Sequence, residues 1–311
     1  MLKEICIIPQ VFDKTFLNED TWKDLKSLLE NIENSGYIVG LNNNDWKKTI
    51  REKINTRVIL NNIDEKIVDK FNSILNVLHD RNRIVGHPKG MIKPTTENDW
   101  LKIAYELNDI RSFFAIITTK NTIENTISLY DLDDINISEK FGLTGTKHFI
   151  KTTKELEKVF LPLLAYAKKV TIIDPYFDIS THRYKETLIL IAKSYRERRG
   201  KAEKGNIIIN CSDKIFENYK ITKWKKFIKQ IYQDYGHLVI INIWDKKEDS
   251  IKLHDRYIIT EQSGISSAAG TDKDDYQQSE WGIKDYSTLY DIENQYNENF
   301  SPFELKNIVK L

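Results

Sequence analysis

Hydrophobic and polar positions follow two patterns along the chain. Short β-branched runs bounded by turn residues predict buried strands, and apolar residues three or four apart predict amphipathic helices. In the first half, strands are predicted at 4–12, 37–41 and 112–118, and helices at 20–34, 46–54, 63–78 and 99–108. Residues 79–98 contain two glycines and two prolines. That segment is predicted to be irregular.

The second half repeats the alternation of strands and helices. Helices are predicted at 152–168, 183–199 and 215–234, and strands at 170–176, 206–211, 238–244 and 251–260. Pro162 is expected to kink or shorten the first of these helices. Alternation of this kind predicts an α/β fold with a largely parallel sheet. Because 120–150 lacks a long periodic run, the predicted division is a domain at 1–125, a connection at 126–150 and a domain at 151–311.

Composition adds limits to this outline. The chain is 40% hydrophobic and 30% charged, which indicates a globular protein. Its 47 basic and 46 acidic residues give a net charge of +1, which excludes a strongly basic whole chain but leaves room for a local basic groove. No apolar run approaches the ~20 residues of a membrane span, and the N-terminal run is too short for a signal peptide. A cytoplasmic protein is therefore expected, with Cys6 and Cys211 as buried thiols and no metal-ligand spacing around them.

Candidate chemistry lies in the segment 251–272, which contains His254 and Arg256 two residues apart on a predicted strand. Side chains repeat every two residues along a strand, so both are expected to face one pocket. Histidine suits nucleophilic or acid–base work at neutral pH, and arginine can bind a phosphate through two hydrogen bonds. The glycine-bounded turn that follows adds hydroxyls and backbone N–H groups suited to an anion. The hydroxyl candidates are Ser266, Ser267 and Thr271.

These residues resemble the phospholipase D superfamily, in a variant similar to the phospholipase D-like domain at the C-terminus of MIT-domain proteins. For 150–311 the resemblance implies a half-module with a mixed sheet flanked by helices. It implies that His254 is a nucleophile forming a phosphohistidine and that Arg256 binds phosphate where the family has lysine. Glu261 stands at the spacing of the family's acidic residue. Asp272 ends the variant motif and is implied to orient a histidine across an interface.

The resemblance also implies how such a protein works. Members with one motif per chain act as homodimers without metal or other cofactor, and the expected substrate here is DNA or RNA. Similar bacterial proteins are associated with antiviral defence, in which an ATPase or sensor partner is common. Two alternatives stay open, because the lysine is replaced and the Gly-Ser turn is rearranged. One is a non-catalytic module that binds nucleic acid or other phosphorylated ligands, and the other is an enzyme whose activity lies in the first domain.

The tetrad Leu-His-Asp-Arg occurs twice, at 78–81 and at 253–256. No strand is predicted after the first copy, so it is interpreted as a loop and a chance recurrence rather than a second motif. Its basic residues are still candidate contacts to a phosphate backbone. These candidates are His79, Arg81, Arg83, His87 and Lys89, together with Arg198 and Arg199 at a predicted helix end.

The first domain more weakly resembles PIN-like nucleases, which hold divalent metal with carboxylates at strand ends. Asp13 and Asp99 are its candidate acids. The family expects another acid after the strand at 112–118, where this chain has Thr118, Thr119 and Lys120. A lysine opposes cation binding. The first domain is therefore interpreted as a degenerate or unrelated scaffold, and Asp13 as a possible helix cap.

Overall fold

The computed structural model divides the chain into two compact units, Met1–Leu143 and Thr144–Leu311. The structure describes residues 2–15, 19–41, 45–59, 65–86, 94, 96–110, 112–119, 126–142, 146–197, 204–247 and 254–311. Both units are α/β, as the sequence predicts, and the second contains the expected mixed sheet.

The first unit contains a five-stranded sheet in the order β3-β2-β1-β4-β5, with every pair parallel. The strands are β1 Lys3–Ile7, β2 Gly36–Gly40, β3 Ile84–Gly86, β4 Ala115–Thr118 and β5 Thr126–Ser128. The helices are α1 Val11–Thr15, α2 Glu19–Ser35, α3 Asp45–Ile59, α4 Glu65–Asp80, α5 Glu97–Ile110 and α6 Asp134–Phe141. A 3₁₀ turn occupies Leu129–Asp131. The strand order reverses between β1 and β4, as in doubly wound folds.

Three predictions for this unit are wrong. The strand predicted at 4–12 ends at Ile7, and α1 begins at Val11. The segment 79–98 is not irregular throughout, because α4 continues to Asp80 and β3 follows it. The segment 126–150 is not a plain connection. Its first part supplies β5 and α6, which belong to the first sheet and its helical layer, and its end supplies a strand of the second unit. Strands of three or four residues are too short to show a period, so the pattern of apolar residues could not reveal them.

The second unit contains an eight-stranded sheet in the order β13-β9-β8-β7-β10-β11-β12-β6. The strands are β6 Lys147–Ile150, β7 Lys169–Ile173, β8 Asn206–Ser212, β9 Leu238–Lys246, β10 Tyr257–Thr260, β11 Gly264–Ser267, β12 Gln278–Lys284 and β13 Phe303–Val309. The helices are α7 Thr153–Leu164, α8 His182–Glu197, α9 Lys220–Tyr235 and α10 Tyr286–Gln295, with a 3₁₀ turn at Asp213–Ile215. Strands β7, β8 and β9 are parallel, and the other pairings are antiparallel.

The central strands show why the sequence predicts this sheet. β7 is buried from Val170 onward, and β8 is buried at most positions, so both contain near-continuous β-branched runs. Pro162 lies in the last turn of α7, which ends at Leu164 rather than at 168. Burial of Cys6 and Cys211 is confirmed, and it raises the pKa of both thiols. Among the described helices, none is both long and apolar enough to cross a membrane.

Candidate functional site

Four strand ends meet at one edge of the second sheet. β7, β8 and β9 run parallel and finish there, and antiparallel β10 begins there. In open sheets of this kind, ligands bind outside the carboxyl ends of the parallel strands. His254 and Arg256 lie in the segment that enters β10, which begins at Tyr257. The predicted strand at 251–260 is therefore confirmed only from Tyr257, and 251–253 lie outside the described residues.

A cavity of about 290 Å³ opens at this edge, between the start of β10 and the neighbouring strands β11 and β12. Its lining includes His254, Arg256, Tyr257, Ser266, Ser267 and Glu280. The spacing argument placed the histidine and the arginine in one pocket, and the structure brings them to the same cavity. Two of the three predicted hydroxyl residues join them there.

Arg256 is held in place by its surroundings. Its Nη1 donates to the Ala268 carbonyl at 3.2 Å, and its Nε lies 3.9 Å from Asp174 Oδ1. The guanidinium also lies over the Tyr176 ring, 5.4 Å from the ring centroid. Within the described residues, the buried Nε has no hydrogen-bond partner. A guanidinium has five N–H donors, so this arrangement leaves donors for an anion in the cavity.

Asp174 is a residue that the sequence interpretation missed. It directly follows β7, is fully buried, and accepts hydrogen bonds from the Thr271 N–H at 3.0 Å and the Thr271 hydroxyl at 2.8 Å. Its Oδ1 accepts from the Tyr176 N–H at 3.0 Å. Asp174 therefore ties together the loop after β7 and the turn after β11. The available signal was a carboxylate at the end of the β-branched run of β7.

Asp272 belongs to a buried ion pair. The Nζ of fully buried Lys151 donates to Asp272 Oδ1 at 2.8 Å and to the Ala269 carbonyl at 3.1 Å. Arg183 Nη1 lies 3.1 Å from Asp272 Oδ2. Gly270 has φ of +90°, and a Cβ there would lie 2.7 Å from Asp272 Oδ1, so only glycine suits this turn. Within the unit, the Asp272 carboxylate holds the turn behind the cavity, and its role across an interface stays a prediction.

Of the other predicted motif residues, some line the cavity and others lie outside it. Ser266 and Ser267 line the cavity, and the Ser267 hydroxyl donates to the Gly270 carbonyl at 2.6 Å. Thr271 is buried on Asp174 and does not line it. Glu261 lies at the opposite end of β10, where it accepts from the backbone N–H groups of 168 and 169 at 2.6 and 3.2 Å. The structure does not bring Glu261 to His254, because the whole of β10 separates them.

A buried phenol also belongs to this setting. Burial raises the pKa of Tyr184, and the negative charges of Asp174 and Asp272 raise it further. Tyr184 is therefore a neutral hydroxyl at physiological pH. Its ring packs against Phe177, with centroids 4.7 Å apart, so it supports the loop that follows β7.

A second cavity of about 140 Å³ lies on the other side of His254. It is formed by the loop after β7 and by the ends of β8 and β9. Among the residues that the structure describes, its lining includes Pro175, Tyr176, Ser212, Lys214, Asp245, Lys246 and His254. His254 is exposed and lines both cavities. In the described part of the chain, no hydrogen bond orients its imidazole ring.

The first tetrad has a different setting. His79 lies in the last turn of α4, and its Nδ1 is 3.3 Å from Asp80 Oδ1. Arg81 forms an ion pair with Glu33. The loop predicted here is wrong, since the tetrad ends a helix and β3 follows.

Arg83, a candidate phosphate contact, is buried in the first unit. Its Nη1 donates to the Gly36 carbonyl at 3.1 Å, and its exposed fraction is 3%. Burial lowers its pKa to about 10. A side chain in this position supports the turn between α4 and β3 and does not reach a ligand at the surface. The candidates His87, Lys89, Arg198 and Arg199 lie outside the described residues.

The alternative acids of the first unit have local partners. Asp13 is part of α1 and accepts from Lys53 Nζ at 2.6 Å. Asp99 Oδ2 accepts from the Thr96 N–H at 2.9 Å, and Thr96 Oγ1 accepts from the Asp99 N–H at 3.2 Å. That reciprocal pair is a capping box at the start of α5. Among the residues that the structure describes, no group of three or more His, Cys, Asp or Glu side chains is placed to hold a metal.

Comparison with known proteins identifies no family. No family model matches the chain, and no curated protein matches it. Among solved structures, it is similar to TrmBL2, described as an archaeal chromatin protein with a novel mode of DNA binding, at 12% identity and a TM-score of 0.29. The match covers 76% of this chain and 66% of that chain, just under two thirds of its length. A TM-score this low carries no inference about this chain.

Proposed function

We propose that the second unit is a metal-independent phosphodiesterase of the phospholipase D-like kind, with nucleic acid as its substrate. The observation that carries the proposal is the shared cavity of His254 and Arg256, with the Ser266 hydroxyl on its wall. A nucleophile, a cation and a hydroxyl donor around one space are the groups that a phosphoryl centre needs. The place at the carboxyl edge of parallel strands supports the same proposal.

In the proposed reaction, a nitrogen of His254 attacks phosphorus. An N–P bond forms as the P–O bond to the leaving group breaks, and a second histidine donates a proton to the leaving oxygen. Water then attacks the phosphohistidine, that second histidine takes the proton from water, and the N–P bond breaks. Arg256 binds the non-bridging oxygens in both steps. We propose that the second histidine is His254 of a second copy, which makes the working unit a homodimer.

The test is hydrolysis of bis(p-nitrophenyl) phosphate and of DNA and RNA strands in the presence of EDTA. Wild-type protein is expected to cleave at least one of these, and His254→Ala is expected to abolish the cleavage. Because the proposed step uses no metal, adding Mg²⁺ is expected to change little. Cleavage that persists in His254→Ala, or that requires Mg²⁺, contradicts the proposal.

A second candidate function is binding without turnover. The observation that favours it is the exposed ring of His254, since catalytic histidines are usually held in one orientation by an acidic or carbonyl partner. Arg256, in contrast, is held firmly, and phosphate binding needs only that side chain. This candidate predicts salt-sensitive binding of nucleic acid that is lost in Arg256→Ala, with no cleavage under any condition.

A further inference from the structure

We propose that the second cavity is a binding site for one unstacked nucleobase, so that the ligand of this protein is single-stranded nucleic acid. The inference rests on the proposed function for the position of the phosphate at Arg256. It adds a separate site with its own chemistry. The cavity is less than half the size of the first, at about 140 Å³ against about 290 Å³.

Tyr176 is the main feature of this site. The Arg256 guanidinium lies over its ring, and the ring also lines the second cavity. Tyr176 is 47% exposed, an unusual state for a large aromatic residue at the end of a buried strand. The Tyr176 N–H donates to buried Asp174, so the backbone that carries the ring is fixed. A fixed, open aromatic ring beside a cation is a stacking platform for a base.

The polar groups of the cavity fit a base better than they fit a second phosphate. Asp245 stands on its wall, and a carboxylate repels a phosphate but accepts hydrogen bonds from an exocyclic amino group. Lys214 supplies a donor for ring nitrogens or carbonyl oxygens. A nucleic-acid strand whose phosphate lies at Arg256 can therefore place its neighbouring base against Tyr176. His254 lines both cavities.

A base site of this kind also favours single-stranded over double-stranded nucleic acid. A base in the second cavity must leave its stacking and pairing partners, which costs a few kcal/mol in a duplex and much less in a single strand. A duplex can still touch the outer rim through its phosphates. It cannot use the ring of Tyr176 without that cost, so affinity for single strands should exceed affinity for duplexes.

The experiment compares three fluorescent probes by anisotropy. They are an oligodeoxycytidylate, an abasic strand with the same number of phosphates, and the oligodeoxycytidylate paired with its complement, all with phosphorothioate linkages to slow cleavage. Wild-type protein is expected to prefer the first probe. Tyr176→Ala is expected to lower affinity for it about 5- to 100-fold, so that the preference for it over the abasic strand is lost.

Controls keep the outcomes separate. Tyr176→Phe should retain the affinity, and Tyr290→Ala, a change at a tyrosine that is 62% exposed and lines neither cavity, should have no effect. Equal affinity of wild type for the cytidylate and abasic strands overturns the base site, even if Arg256→Ala abolishes binding of both. A loss in Tyr176→Ala with no loss in Arg256→Ala overturns the proposed phosphate site and keeps the base site. If none of the probes binds, both proposals are wrong.

Discussion

The same four letters, Leu-His-Asp-Arg, occupy two very different places in this molecule. At 78–81 they end a helix, with Leu78 in the core and Arg81 paired to Glu33. Of the second copy the structure describes His254 to Arg256, which lead into β10 at the edge where three parallel strands finish. The first copy thus supports the fold of its own unit, whereas the second lines a cavity.

The difference lies in what surrounds each arginine. Arg81 has a carboxylate from a neighbouring helix, so its charge is satisfied locally. Arg256 has one carbonyl partner, an aromatic ring and a carboxylate at 3.9 Å that is itself occupied by Thr271. The surroundings of the tetrad, and not its sequence alone, therefore decide whether its arginine pairs within the fold or faces a cavity. The first copy of the tetrad is therefore an internal control for the second.

The largest expected effect separates the two histidines. His254→Asn should lower the rate of phosphodiester hydrolysis by on the order of 10³-fold or more, because the proposed nucleophile is lost. His79→Asn should leave the rate unchanged within about two-fold, since His79 is an exposed helix-end residue beside Asp80. The measurement is the initial rate with bis(p-nitrophenyl) phosphate in EDTA. Equal losses of hydrolysis rate in the two variants would contradict the proposed role of His254 as the nucleophile.

The next effect concerns the buried pair behind the second copy. Lys151→Met should destabilise the second unit by about 3–5 kcal/mol, because Asp272 would be left as a buried, poorly paired charge. Lys158→Met removes an exposed lysine on α7 that pairs with Glu155 and should cost no more than about 1 kcal/mol. Urea unfolding of both variants measures the difference. If the two variants are equally stable, the turn after β11 does not depend on Lys151.

The sequence predicted the parts of this site that lie close together along the chain. His254 and Arg256 stand two residues apart and line one cavity, although both precede β10. Asp174 was not predicted as a site residue, because its partner Thr271 is 97 residues away in the sequence. An acidic residue after a strand also has many ordinary structural roles. Glu261 was assigned by spacing within the motif. Spacing cannot show that β10 begins only at Tyr257 and carries Glu261 to the far end of the sheet.

In the fold, too, the elements that the sequence predicted are those with a pattern in their own residues. Long amphipathic helices and central strands such as β7 and β8 carry a period or a continuous apolar run, and those were predicted. The three-residue strands β3 and β5 carry neither. They exist because a neighbouring strand offers unpaired backbone groups, and that is a property of the folded sheet rather than of the segment.

A smaller effect separates the two arginines. Arg256→Ala should weaken binding of a single strand by roughly 10- to 100-fold, as expected for loss of a charge-assisted contact, and should flatten its salt dependence. Arg81→Ala should leave binding unchanged and lower the free energy of unfolding by about 1 kcal/mol, through loss of the ion pair with Glu33. Anisotropy titrations at several salt concentrations measure both. A salt slope that is the same in Arg256→Ala and wild type would remove Arg256 from the phosphate site.

The smallest effect tests how the loop that carries Tyr176 is anchored. Asp178 accepts hydrogen bonds from Lys220 Nζ at 2.9 Å and from the Ser180 N–H at 2.8 Å. Burial alone would raise the pKa of Asp178, but the hydrogen bonds from Ser180 and Lys220 outweigh it and leave the pKa lowered. A carboxyl group with a lowered folded-state pKa contributes stability above its unfolded pKa of about 3.9, and that stability is lost as the pH falls below this value.

Asp178→Asn should therefore lower the free energy of unfolding by about 1–2 kcal/mol at pH 7. Its difference from wild type should shrink as the pH falls from 4 toward 3, where the wild-type carboxyl group takes up its proton. The first tetrad has no comparable carboxylate anchor beside its histidine, because Asp80 is exposed. Asp80→Asn should accordingly change the free energy of unfolding by no more than about 0.5 kcal/mol. Urea unfolding of wild type and both variants across this range decides whether the acid anchor is particular to the second site.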